Sequence, residues 1–417
     1  MIINKRENNA LISGPYELLV SKYSVSSKDT VIRTHTGRLI VSSSSGIDYS
    51  DDDGTSWTHV ESISAVQGLE EACNVIFVYY STMGGQPIKY STDDGSTWQT
   101  KSLRNLYKAI GFNDKVLLAC RQYDTGHNTV EMCYPGFKLY DVYSDTYQNI
   151  PYPETGVGDI ADVVKINDSE IITYITQNGN KVYRLNITTM TWTLVADLSS
   201  LSNSAGETKV KLLKDCGMII TKDNNSSNKY LVSRIDYGPT SAANIIDITY
   251  INKYMTLDSC ELCLANNSLF ICHRDDVFKL GGFTTWSSDK SPIVPETILD
   301  KRYRPLYIAK YNLLMFLGHG YASDYSTSVY GRDIKYSLDD GNTFNTIDLQ
   351  LTDAQAEANV PLVYIDPDKL FWCSGTSVNV FNISFETVKA CTKYLDQNGV
   401  QEIVTQFKAY CDAKVGA

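Results

Sequence analysis

The sequence predicts an all-β fold assembled from repeated four-strand units, and three observations carry the prediction. A short pattern occurs three times, as YSDDDGTSW (Tyr49 to Trp57), YSTDDGSTW (Tyr90 to Trp98) and YSLDDGNTF (Tyr336 to Phe344). Around each copy the chain repeats one order of events: an apolar run, a second apolar run after a polar tip, a short strand, a turn, and an aromatic that opens a fourth strand. Tyrosine is abundant, with 29 copies against 12 Phe and 5 Trp, as suits strands with one face buried and the other wet.

The pattern reads S-x-D-x-G-x-[ST]-[WF] and has the chemistry of a hairpin turn. Its positions are Ser50, Asp52, Gly54, Ser56 and Trp57, then Ser91, Asp93, Gly95, Thr97 and Trp98, then Ser337, Asp339, Gly341, Thr343 and Phe344. The Asp carboxylate is placed to accept backbone N–H groups of the residues that follow, and so to replace a backbone turn partner. Glycine two residues later supplies a φ that a β-carbon would penalise, while the Ser or Thr hydroxyl satisfies another local group. The aromatic re-enters the next strand and is expected to pack beneath the turn, where burial is worth about 1.5–3 kcal/mol or more. An EF-hand-like calcium loop would need a closing Glu about a dozen residues on, and none follows.

Weaker turns continue the register. They place Tyr147 in KLYDVYSDTYQNI, Trp192 in VYRLNITTMTWTLV, Trp286 in VFKLGGFTTWSS and Phe385 in VNVFNISFETV. Successive markers lie 41, 49, 45, 94, 58 and 41 residues apart, and the long gap is filled by a degraded unit at KYLVSRIDYGPTS (Lys229 to Ser241). Units of this length with four short strands are what propeller blades require, because each blade has two apolar faces that only its neighbours can cover. Counting every marker gives eight blades, and seven if the unit near Lys229 or the last one is an insertion or closing strand. A surplus strand, YELLV (Tyr16 to Val20), precedes the first unit and is placed to complete the last blade and clasp the ring shut.

The three sound copies resemble the Asp-box, or bacterial neuraminidase repeat, of sialidases and many other propellers, where it forms the turn between the third and fourth strands of a blade. The expected architecture is thus a β-propeller over residues 1–390. From 391 to 417 the character changes: Val400, Ile403, Val404, Phe407 and Cys411 recur at helical spacing. A short C-terminal α-helix is expected there, docked on the rim or joining copies into a homo-oligomer. The segment YLDQNGVQEIVTQFKAYCDAKVG resembles a Tyr/Phe-Leu-Asp-x-x-Gly-Leu/Val-x-x-Leu/Ile stretch common in tail and fibre proteins of phages of Firmicutes. That resemblance implies a virion component, in a tail fibre, tail tip, baseplate or head/neck decoration.

Composition narrows the partners. The net charge of −11 and the pI near 5.0, with no cluster of Lys and Arg, argue against nucleic acid. No apolar run has the length of a signal peptide or of a membrane span, so synthesis in the host cytoplasm without membrane insertion is expected. Ten cysteines in 417 residues fall well below disulfide-scaffold density, and Cys73, Cys120, Cys216, Cys272 and Cys373 read as reduced core residues of strands. Cys260 and Cys263 form a single C-x-x-C with no second pair at zinc-ribbon spacing. No metal and no cofactor are implied.

An enzyme reading must find the sialidase set: three arginines converging on a carboxylate, a Tyr activated by Glu, and an Asp acid. VIRTHTGRLIV places Arg33 ahead of Gly37 and Leu39 but lacks the proline and aromatic of the family's first-arginine segment, and Arg184, Arg234, Arg274, Arg302, Arg304 and Arg332 stand in unmarked contexts. His35, His59, His127, His273 and His319 are isolated. The expectation is therefore a non-enzymatic virion scaffold whose propeller binds host-surface carbohydrate or neighbouring virion proteins. A sialidase-like exo-glycosidase and an intracellular protein-interaction propeller are the alternatives. The longest insertion, Gly318 to Arg332, is the expected ligand loop, with Tyr321, Asp324, Tyr325 and Tyr330 offering ring faces and hydrogen bonds to a sugar.

Overall fold

The computed structural model describes residues 17–19 and residues 31–382, apart from short connecting stretches of which the longest are 121–135, 200–207, 319–332 and 349–361. These residues form eight four-stranded antiparallel sheets, each with its strands in simple neighbour order. Sheet I comprises Val31–Arg33, Leu39–Ser43, Gly46–Ser50 and Thr58–Glu61, and sheet II comprises Val66–Ala72, Val75–Tyr80, Pro87–Ser91 and Gln99–Arg104. Sheet III holds Leu106–Phe112, Lys115–Cys120, Gly136–Asp141 and Thr146–Ile150; sheet IV holds Asp159–Lys165, Glu170–Thr176, Lys181–Asn186 and Thr191–Asp197. Sheet V is Thr208–Leu212, Cys216–Lys222, Tyr230–Asp236 and Ile245–Ile251, and sheet VI is Glu261–Ala265, Ser268–His273, Asp276–Leu280 and Glu296–Leu299. Sheet VII is Tyr303–Ile308, Leu313–Gly318, Asp333–Ser337 and Asn345–Asp348.

Sheet VIII draws on both ends of the chain. Leu362–Ile365, Lys369–Ser374 and Ser377–Asn382 supply its first three strands, and Glu17–Leu19 supplies the fourth, with Glu17 opposite Val380, Leu18 opposite Asn379 and Leu19 opposite Val378. The surplus N-terminal strand thus closes the last sheet. Phe385, expected to open that fourth strand, lies outside the described residues, as does the expected helix with Val400, Ile403, Val404, Phe407 and Cys411. The poorly marked unit near Lys229 is sheet V, whose third strand is Tyr230–Asp236.

In sheets I to VII burial falls from the second strand to the fourth for a simple reason. Second strands are covered on both faces by neighbouring sheets, so Lys115–Cys120, Glu170–Thr176 and Ser268–His273 are almost wholly buried. Fourth strands meet water, and Thr146–Ile150 is exposed except for Ile150. Six apolar clusters fill the junctions from sheets I and II through to sheets VI and VII. First strands of successive sheets also touch from sheet I to sheet V and from sheet VI to sheet VIII, and Val31–Arg33 meets Leu362–Ile365, which brings the last sheet back to the first. At about 1.5–3 kcal/mol for each large apolar side chain removed from water, these junctions are what holds the sheets together.

Candidate functional site

The three S-x-D-x-G turns join the third and fourth strands of sheets I, II and VII. In sheet II, Ser91 Oγ donates to Asp93 Oδ1 at 2.8 Å and accepts from Gly95 N at 2.8 Å, while Asp93 accepts from Thr97 N at 2.9 Å and Thr97 Oγ1 at 2.6 Å. Sheet VII repeats this with Ser337, Asp339, Gly341 and Thr343, at 2.7, 2.8, 2.9 and 2.7 Å. In sheet I, Asp52 accepts from Ser50 Oγ, Ser56 N and Ser56 Oγ at 2.7, 2.8 and 2.6 Å; Gly54 lies outside the described residues. Hydrogen bonds from Ser56 and Ser50 hold the Asp52 carboxyl down to about 2. Burial pushes the Asp93 and Asp339 carboxyls up, yet their combined hydrogen bonds prevail and both end below their ordinary value. Such fully engaged carboxylates serve the turn.

In sheets II and VII the aromatic that closes the turn reaches further than a packing place beneath the turn. Trp98 packs into the junction formed by Ile40, Ile47 and Ile76, between sheets I and II. Phe344 meets Phe316 edge-on at 5.7 Å in the junction that includes Phe270. The glycines point the same way: a β-carbon on Gly95 would stand 2.5 Å from Ile40 Cδ1, and one on Gly341 would stand 2.8 Å from Phe270. Each of these two turns is therefore keyed into the second strand of the preceding sheet. Sheets III and IV use another device. Asp141 accepts from the N–H groups of Tyr143 and Ser144, both at 3.0 Å, and Asn186 accepts from those of Thr188 and Thr189, both at 3.0 Å.

The first strands, which meet around the ring, carry charge that is spent between sheets. Bulges at Gln67, Tyr107 and Ala161 re-aim the residues that follow. Glu70 accepts from Ala109 N at 3.3 Å and from the Tyr79 hydroxyl. Lys108 donates to Val163 O at 3.0 Å, and Asp162 accepts from Leu212 N at 2.8 Å with Lys211 at 3.6 Å. Lys209 donates to Leu257 O at 3.1 Å and to Cys260 O, and Glu261 faces Arg304 at 2.9 Å. Sheets II, IV and VI each hand a carboxylate to the next sheet, and sheets III and V each hand on a lysine.

Among the described residues the arginines do not converge. Arg33 donates to Gly37 O at 3.0 Å and Arg184 to Tyr237 O. Arg234, buried, binds Asp236 at 2.6 and 3.2 Å and donates to Phe283 O at 2.5 Å and Trp286 O at 3.1 Å, clamping sheet V to sheet VI. Arg274, Arg302 and Arg332 lie outside the described residues, with His127, His319 and the loop residues Tyr321, Asp324, Tyr325 and Tyr330. Among the described residues the Tyr79 hydroxyl donates to Glu70 and accepts from Ala109 N at 2.9 Å, where sheet II meets sheet III. Burial pushes the Tyr79 hydroxyl well up, and Glu70 adds to that, the opposite of what a nucleophilic phenolate needs.

Cys260 and Cys263 are free thiols, as are Cys120, Cys216 and Cys272. Burial raises Cys120 and Cys216 to about 11 and Cys263 to about 12, which keeps them as unreactive thiols. Cys73 departs from the expected strand position and sits in the turn after Ala72 with φ 54. Two features went unseen in the sequence. Tyr143, at the tip of the sheet III turn, is 86% exposed. His35, Glu71 and Asp94, far apart along the chain, bring metal-capable atoms within 4.8 Å of one another; neither has a sequence signal, because neither follows a local spacing.

No family model matches the sequence, and no curated protein matches it. Solved structures do resemble the fold. Sqt1 of Saccharomyces cerevisiae superposes with a TM-score of 0.56 at 8% identity, over 89% of this chain and 100% of that one. The fold is a β-propeller. YCF48 from Cyanidioschyzon merolae (TM-score 0.46, 11% identity, 76% of this chain and 95% of that one) and YCF48 bound to D1 peptide (0.44, 10%, 90% and 98%) are also similar. At these identities the likeness concerns the propeller and its four-stranded antiparallel sheets.

Proposed function

We propose that this propeller is a non-enzymatic scaffold of a phage virion, of Asp-box type with eight blades, that holds a neighbouring virion protein through its turn-bearing faces and is attached through its C-terminal segment. The supporting observation is where the reactive groups go. The box carboxylates are consumed inside their turns, and the first-strand carboxylates and lysines link one blade to the next. Arg234 is likewise spent on the junction of sheets V and VI. Rigid rings of this kind present loops at fixed positions, which suits assembly. The resemblance of Tyr394 to Gly416 to phage tail proteins supports the virion setting.

The test has two arms. Particles released by the host that encodes the chain are purified and analysed by mass spectrometry, and the isolated chain is incubated with sialosides and other glycans. The chain is expected in the particles at fixed stoichiometry, with no glycan turnover. Turnover abolished by Arg33→Ala would replace the scaffold with the exo-glycosidase reading, and absence from particles would replace it with an intracellular interaction propeller.

A further inference from the structure

We propose that the junction of sheets I and II binds one divalent transition-metal ion of zinc-like character through His35, Glu71 and Asp94. This inference does not depend on the virion reading. His35 lies in the turn between the first two strands of sheet I, Glu71 near the end of the first strand of sheet II, and Asp94 in the S-x-D-x-G turn of sheet II. One imidazole nitrogen and two carboxylate oxygens come within 4.8 Å of one another. Imidazole with carboxylate is a donor set for zinc and its neighbours, not for calcium, which takes oxygens alone.

Three details favour a cation. First, the carboxylates are held in place: Glu71 accepts from His35 N at 2.8 Å and from His35 Nδ1 at 2.5 Å, and Asp94 Oδ2 accepts from Thr36 Oγ1. Asp94 itself sits at φ 59 in a turn fixed by Ser91 and Asp93. Second, Asp94 Oδ1 is buried and meets no hydrogen-bond donor among the described residues. Third, the local charge is unbalanced. Arg38 is paired with Asp51 at 2.7 Å and lies 3.7 Å from Asp94, so one guanidinium is shared by two carboxylates.

The molecule carries its own comparison. At the junction of sheets VI and VII, Asp340 stands where Asp94 stands, also at φ 59, and its Oδ2 accepts from Ser268 Oγ at 2.5 Å as Asp94 accepts from Thr36. Asp340 Oδ1 is unpartnered too, so the difference lies in what faces it. There the corresponding places hold Asn266 and Tyr307, joined by a hydrogen bond of 2.5 Å from the Tyr307 hydroxyl to Asn266 Oδ1. A neutral amide and a phenol close that junction, whereas His35 and Glu71 make this one a ligand set. Zinc ligands at about 2.0–2.2 Å from the metal stand farther apart than the 2.5 Å between His35 Nδ1 and Glu71 Oε1, so that pair opens to admit the ion as the half-exposed His35 ring turns. The ion takes the place of the proton between His35 and Glu71, and water completes the coordination. It would staple sheet I to sheet II.

The experiment uses the full chain stripped with a chelator. Zinc is titrated against a chromogenic chelator, and melting is followed with and without the ion. One equivalent is expected to bind and to raise the melting temperature. His35→Asn, which copies the other junction, and Glu71→Gln are each expected to weaken binding at least tenfold and to remove the thermal gain. Asp340→Asn is expected to leave both unchanged. Circular dichroism confirms that the variants fold. Absence of a bound equivalent, or binding that His35→Asn and Glu71→Gln leave intact as it would be if the free thiols held the ion, would overturn the proposal.

Discussion

A β-carbon at position 95 or 341 has nowhere to go. Gly95 sits at φ 77 and Gly341 at φ 73, and the added carbon would press on Ile40 or Phe270 across the junction. Gly95→Ala is expected to cost about 1–3 kcal/mol, combining a left-handed backbone with overpacking. Denaturant unfolding measures it. Adding Ile40→Val, which removes the Cδ1 that is struck, should return part of the loss; no return would mean the cost is backbone strain alone. The box carboxyls make a second prediction at this scale. A carboxyl held below its unfolded value favours the folded state at pH above that unfolded value of about 4. The advantage fades as pH falls through the folded value, about 2 for Asp52. Asp93 and Asp339 are lowered as well, so stability should decline with acid over this window. Asp52→Asn should flatten the decline, as read from melting temperature against pH. The turn chemistry was legible in the sequence because every bond in it spans four residues or fewer. The identity of Ile40 and Phe270 as the surfaces beneath was not, since their contacts with the glycines are set by how sheets pack.

At the scale of the element, the four-strand unit was readable wherever apolar runs and turn residues alternate, as they do along sheets I and II. Where the box pattern is missing, Asp141 and Asn186 do its work with a shorter span, accepting N–H groups two and three residues on. One Asx residue leaves a much fainter trace than a pattern with five fixed positions. Sheet V was fainter still: its third and fourth strands are separated by residues 237–244, which breaks the hairpin signal. The clamp made by Arg234 was equally hidden, because its acceptors lie on the next sheet. Arg234→Ala leaves those carbonyls and Asp236 without their donor, and loss of one partner from a buried ion pair costs about 3–5 kcal/mol. Asp236 is partly exposed, so the lower end of that range is expected, measured by equilibrium unfolding. A cost below about 1 kcal/mol, as for a surface pair, would show that the clamp does not join the two sheets.

For the whole molecule, the closed ring is the feature from which stability follows. Sheet-to-sheet junctions are apolar on their faces and charged at the inner strands, so the ring is held without any group that must move. The pairing of Glu17–Leu19 with Ser377–Asn382 joins residues from opposite ends of the sequence. It was legible only as a strand left over once four had been counted for each unit. The distant clusters, by contrast, had no sequence trace, since the ring alone brings residues such as His35, Glu71 and Asp94 together. The most direct test of closure is a cross-link at Leu18 and Asn379, which face each other in the clasp. Opposed residues in an antiparallel pair have Cα atoms about 4.5–5.5 Å apart, within disulfide reach. The double variant Leu18→Cys/Asn379→Cys, oxidised mildly and separated without reductant, is predicted to form an intramolecular disulfide that raises the melting temperature. Thiols at both positions that stay free under the same oxidation would contradict the closed ring.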